Sequence, residues 1–196
     1  MNVHSFSGKR DKIIEAALFL LTKRGFHATS MAMIAGKAGV AAGTIYNYFK
    51  SKDVLIKAVF REIESEIIDH LKRNAVESGT AREKFVRFYA SLLGYLVAKP
   101  LHFRYLEQFH NSPFGVAMRR DVISGNSDDM SPLVDIIDEA VAKKEILLKD
   151  LPLAIIKAHV LGPILMNARD HVSGFHKLDA DQIRKSAEAA WDSLKK

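Results

Sequence analysis

An all-α fold of about nine helices is what this sequence predicts, on three observations. Apolar residues recur at three- and four-residue steps along most of the chain, no stretch alternates apolar and polar residues cleanly enough for a strand, and prolines and glycines fall at the edges of the periodic segments. The first helix opens at Lys9 and carries Ile13, Ile14, Ala17, Leu18 and Leu21, with Gly25 placed to end it in a left-handed C-cap. Thr29 and Ser30 offer N-cap oxygens to a short helix over Met31 to Ala38, Gly39 breaks it, and another short helix follows over Ala42 to Phe49. Ser51 caps a longer helix through Ile56, Val59, Ile63, Ile67 and Leu71, fading near Asn74. Beyond it the periodicity predicts helices at 81–98, 100–110, 114–124, 131–145, 152–173 and 180–195. Pro100, Pro113, Pro132 and Pro152 stand at helix starts, where a missing N–H costs least. Pro163 lies inside an apolar run and predicts a kink rather than a break, and Ser124 to Ser131 reads as a flexible segment.

A chain of 196 residues with 48% apolar content can bury a core without covalent staples. Cysteine is absent, which excludes disulfides, thiolate nucleophiles and Cys-ligated zinc, and suits a cytoplasmic setting. Neither a signal-peptide pattern nor a membrane-spanning run is expected. The net charge of +6 is unevenly placed: residues 1–52 hold eight basic and two acidic side chains, and the remaining 144 residues hold 21 of each. All of the surplus therefore sits in the first quarter, where it can produce a local field that a polyanion would feel.

The same quarter holds the segment with the strictest steric pattern. Two short helices that cross steeply need a small residue at their closest approach, and Ala35 supplies it; the turn needs a residue tolerant of positive φ, and Gly39 supplies that. Ile34, Ala38, Val40 and Ile45 form the inner face with Tyr48 at its margin, while Ala41, Ala42, Thr44 and Asn47 remain for an outer face that can enter a major groove. The pattern is that of a helix-turn-helix, which points to double-stranded DNA as partner.

The stretch GFHATSMAMIAGKAGVAAGTIYNYFKSKDVL, Gly25 to Leu55, resembles the N-terminal signature of the TetR family of transcriptional regulators. The resemblance implies a DNA-binding domain over 1–55 and a helical effector-binding and dimerisation domain over 56–196. It implies a repressor, not an enzyme, released from a palindromic operator by a small molecule, working as a homodimer with no cofactor, no metal and no membrane. Carried over residue by residue, Thr44 and Asn47 face base edges, Gly43 allows close backbone approach, and Tyr46 and Tyr48 bond phosphates. Lys52 holds a phosphate at the start of the fourth helix, and Ser30 both caps the second helix and touches the DNA backbone. Ala41 departs from the Ser common at its position, so one hydroxyl contact is lost; Ala41 and Ala42 can still meet thymine methyls.

For the effector pocket, the aromatic-rich stretch from Phe85 to Phe114 and the helix after it nominate Tyr89, Phe103, Phe109, His110, Phe114 and Asn167. For the dimer, the last two helices nominate Ala158, Gly162, Ile183, Ala187 and Trp191. Glu107 and His110 share the Glu-x-x-His spacing of di-iron bundles, but the chain has no second copy. No His-Glu-x-x-His, phosphate-binding Gly loop or G-x-S-x-G occurs, which leaves catalysis without a motif.

Overall fold

The computed structural model describes residues 8–123, 132–143 and 151–194. Among them are ten α-helices and no strand: α1 (Lys9–Ala28), α2 (Met31–Ala38), α3 (Ala42–Tyr48), α4 (Lys52–Asn74), α5 (Ala81–Ala98), α6 (Pro100–His110), α7 (Pro113–Ile123), α8 (Pro132–Ala142), α9 (Leu153–Ser173) and α10 (Ala180–Asp192). The segment expected to be flexible at 124–131, and the expected helix ends at 145 and 195, lie outside the described residues.

Local chemistry explains most boundaries. Ser30 caps α2 by accepting from the Met33 amide at 3.2 Å, and Ser51 accepts from the Val54 amide at 3.3 Å at the head of α4. Thr80 with Glu83 and Asp179 with Gln182 form complete capping boxes at α5 and α10. Gly39 closes α2 in the left-handed region at φ 68°, as its place in the turn demands. Gly25 behaves differently from its expected C-cap. It takes φ 82°, ψ 165°, which interrupts α1 without ending it, and the helix resumes through Ala28. Helix α9 runs unbroken past Pro163.

The chain forms two compact units. The first takes residues up to Ser65 together with Arg104–Val116. Its core is Ile13, Ala17, Leu21, Ile34, Ile45, Leu55, Ile56 and Val59, each essentially inaccessible. Three rings of the α6–α7 corner complete it. Phe26 lies 5.5 Å from Tyr105 and 6.5 Å from Phe114, and Phe60 stacks on Phe109 at 4.1 Å. Polar ties reinforce the packing: Tyr105 Oη donates to the Ile56 carbonyl at 2.7 Å, and Gln108 Nε2 to that of Thr22 at 2.9 Å. At Gly115 a Cβ would collide with the Phe109 carbonyl and the His110 backbone, so only glycine permits this close approach.

The second unit takes Glu66–Phe103 and the chain from Ala117 onward. Helix α5 is its centre, packed against α8, α9 and α10. Phe85, Tyr89 and Leu93 of α5 are inaccessible, as are Leu133 of α8, Ile164 and Ala168 of α9, and Ala187 of α10. Phe85 and Trp191 rings pack at 5.3 Å.

Candidate nucleic-acid interface

Helix α3 has only seven residues and buries one of them, Ile45. That single anchor, with Phe49 just beyond the helix at 4% exposure, fastens α3 beside α2, whose Ile34 and Ala35 are also buried. Everything else on α3 faces outward. Ala42, Gly43 and Asn47 are exposed, Thr44 is half-buried, and the Tyr46 and Tyr48 rings remain 54% and 45% accessible. Burying an aromatic ring is worth kilocalories, so two rings left open on one short helix form a surface feature that packing does not account for. Ala38 and Val40, expected on the inner face, are half-buried at its edge, and Ala41 is exposed at the N-cap of α3. The chain places Ala41, Ala42, Gly43, Thr44, Tyr46, Asn47 and Tyr48 on one turn and helix, all but Thr44 exposed, with Ser30 exposed at the head of α2.

Lys52 is the exception among these residues. Its side chain is half-buried and folds back, donating to the Phe26 carbonyl at 2.9 Å and the Thr29 carbonyl at 3.2 Å. Lys50, two residues earlier, is exposed and has no partner among the described residues. Three further cations lie over rings in this unit: Lys37 Nζ is 4.1 Å from the Phe19 centroid, Lys57 Nζ 5.8 Å from that of Phe114, and the Arg10 guanidinium carbon 6.0 Å from that of Phe49.

The residues nominated for an effector pocket are divided. Phe109, His110 and Phe114 belong to the first unit, Tyr89, Phe103 and Asn167 to the second. Phe109 is 2% exposed within an aromatic stack, whereas His110 is exposed. In the second unit Tyr89 Oη lies 3.1 Å from Ser186 Oγ, which also accepts from Asn167 Nδ2 at 3.5 Å. Burial raises the Tyr89 phenol above its ordinary value. A cavity of about 240 Å³ in this unit is lined by residues of α4, α5, α8 and the α4–α5 connection, among them Leu71, Val76, Arg87, Phe88, Ser91 and Ile136, and by none of the nominated six.

The nominated dimer residues also separate. Ala158 and Gly162 lie on an exposed face of α9, and Ile183 is half-buried on α10. Ala187 and Trp191, at 0% and 1% exposure, fill the protomer's own core and present almost no surface to a second chain. Ile155, Leu165 and Met166, outside the nominated set, extend the open α9 face at 52%, 44% and 54% exposure. Their spacing of ten and eleven residues, with Ala158 and Gly162 between, was a signal that could have found them. Among the described residues no His, Asp or Glu cluster is arranged to hold a metal, and no helix is long and apolar enough to cross a membrane.

Comparison with known proteins converges on one family. The profile described as bacterial regulatory proteins, tetR family, matches residues 13–59. The fatty acid metabolism regulator protein of Bacillus subtilis is 35% identical over 100 residues, covering 51% of this chain and 46% of its own length. The transcriptional regulator BetI of Klebsiella pneumoniae is 35% identical over 78 residues, 39% of this chain and 40% of its own. These matches span less than half of either curated relative. Solved structures cover far more. A tetR-family transcription regulator from Shewanella superposes with a TM-score of 0.81 at 25% identity over 96% of this chain and 99% of its own, and one from Marinobacter aquaeolei with 0.80 at 25% identity over 95% of each. Residues 13–59 thus carry the N-terminal domain of the tetR family of bacterial regulatory proteins, and the chain is similar along nearly its whole length to solved tetR-family regulators.

Proposed function

We propose that the protein is a ligand-responsive transcriptional regulator, a repressor that reads a palindromic operator as a homodimer. The observation that carries this is the outward face of α3, where Thr44, Tyr46, Asn47 and Tyr48 stand on a helix anchored by Ile45 alone. A seven-residue helix is narrow enough for a major groove, and its side chains supply both kinds of contact a duplex requires. Thr44 and Asn47 suit base edges, and the tyrosine hydroxyls suit phosphate oxygens. The basic surplus of residues 1–52 lies on the same unit and favours a polyanionic partner.

The open α9 face supports the homodimer. Ile155, Ala158, Gly162, Leu165 and Met166 form an apolar stripe with small residues at its centre, which allows a second helix to approach closely. Two recognition helices related by a two-fold axis would meet half-sites about one helical turn, ~34 to 36 Å, apart or a multiple of it. The effector would shift the population between a DNA-competent and an incompetent spacing of these helices. A bias of about 2 kcal/mol weakens operator binding roughly thirtyfold. A fatty-acyl ligand is the first class to test, because the Bacillus subtilis relative bears a fatty acid metabolism name and a structure of FadR from that organism holds stearoyl-CoA.

Selection of bound duplexes from a randomised pool tests the proposal. It should enrich an inverted repeat bound at least a thousandfold (~10³) more tightly than random sequence, the lower end for specific regulators. A pool that emerges unenriched contradicts it.

A further inference from the structure

We propose that Lys52 is a positioning residue that locks the α1–α2 corner onto the first turn of α4, and that it is not a phosphate ligand; the DNA part of this inference rests on the function proposed above. Phe26 stands in the last turn of α1 and Thr29 is its C-cap, so both carbonyls belong to the set that a helix end leaves without an intrahelical donor. The Lys52 ammonium satisfies the two together, at 2.9 and 3.2 Å. Its positive charge also lies at the negative end of the α1 dipole.

The corner it holds is already tightly specified. Thr29 is 1% exposed, and its Oγ1 donates to the Gly25 carbonyl at 2.9 Å, while the Phe26 ring is packed between Tyr105 and Phe114. The carbonyls therefore cannot turn to water without unpacking a ring or a buried hydroxyl. An ammonium has three N–H groups, and two of them are committed here, so drawing the side chain out to a phosphate would leave both acceptors unsatisfied.

Position follows from this bond pair. Helix α2 begins at Met31, two residues after Thr29, and α4 begins at Lys52 itself, so the side chain spans the elements that precede and follow α3 in the chain. Fixing that span fixes how far and at what angle α3 projects. Phosphate attraction near the end of α3 then falls to Lys50, which is exposed and has no partner among the described residues.

Salt titration separates the roles, because each phosphate neutralised adds about 0.9 to the slope of log K against log salt. With a 30-base-pair duplex of random sequence, Lys50→Gln should lower the slope by about 0.9 for each DNA-bound protomer, and Lys52→Gln by less than half of that. In the DNA-free protein, Lys52→Gln should speed amide hydrogen exchange around residues 26–33 about tenfold, with Lys52→Arg, which keeps charge and donors, remaining close to wild type. With a duplex obtained by selection, Lys52→Gln should reduce discrimination against the random duplex about tenfold, the response of a displaced reading helix. A slope loss of about 0.9 per bound protomer for Lys52→Gln overturns the inference, as does unchanged exchange at the corner. Failure of the wild-type protein to bind any duplex would instead refute the DNA reading, and the exchange measurement would still decide whether Lys52 is a clamp.

Discussion

The imidazole of His102 lies 2.8 Å from the Tyr95 hydroxyl, and that hydroxyl lies 3.3 Å from a Glu66 carboxylate oxygen. An ionised carboxylate can only accept, so both contacts are satisfied when Tyr95 donates to Glu66 and His102 Nδ1–H donates to Tyr95. Burial lowers the His102 pKa; the Glu66 charge opposes that shift and Lys99 adds to it. The Tyr95 phenol moves the other way, pushed up by burial and by Glu66. A histidine whose folded pKa lies below its unfolded value binds its proton more readily when unfolded. Its contribution to stability is therefore complete above the unfolded value of about 6.5 and is lost as pH falls through the folded value. Urea unfolding from pH 7.5 down to about 5 should show a falling midpoint, and His102→Gln should flatten it; a slope identical in the variant would sink the assignment to this side chain.

Lys52 shows the limit of reading residues singly. A lysine at the head of a helix looks the same in sequence whether it extends to a phosphate or folds back, since the deciding acceptors at Phe26 and Thr29 are more than twenty residues away. The exposure of Tyr46 and Asn47 was legible because it follows from a short-range fact: a helix with one buried position has only one anchor to place.

At the scale of elements, the turn between α2 and α3 rests on Gly39 at φ 68°. Gly39→Ala forces a Cβ into the left-handed region. It should destabilise the protein by about 1 kcal/mol, visible as a lower melting temperature with unchanged far-ultraviolet circular dichroism. An unaltered melting temperature would show that the turn can relax at no cost. No neighbouring atom lies within 4 Å of the added Cβ, so the penalty is one of conformation and not of collision.

Helix limits were largely legible because prolines, capping residues and apolar spacing are local signals. Met31–Ala38 and Ala81–Ala98 match their expected ranges, and α3 ends one residue short of the expected Phe49. Gly25 was misread because a glycine signals positive φ without fixing ψ. At ψ 165° the chain steps sideways and the helix continues, with Thr29 closing it through a buried hydroxyl.

For the whole molecule, the sequence distinguished buried from exposed better than it assigned buried residues to a place. Tyr89, Phe103 and Phe109 are buried as aromatics at helical spacing should be, yet they are divided between the two units, because that division depends on contacts distant in sequence. Trp191 likewise belongs to a stripe on the last helix, and its ring is spent on Phe85 within the same chain. The α9 face remains open among the described residues and is the surface proposed above for a second copy. Met166→Glu, on a side chain 54% exposed, should leave the melting curve of the protomer nearly intact while shifting the sedimentation profile from dimer to monomer. A dimer that persists in Met166→Glu places the interface elsewhere.

A regulator that reads its operator through α3 must touch bases there, and Asn47→Ala measures that contact without an intermediary. Asn47 is exposed, so the substitution removes an amide without disturbing the fold. Equilibrium affinities of wild type and variant for a selected duplex and for random sequence should show the gap between the two narrowing by about ten- to a hundredfold, the worth of one good base contact, with the random-sequence affinity unmoved. An undiminished gap would mean that the outer face of α3 does not touch the bases, and the regulator proposed here would have to recognise its site by some other surface.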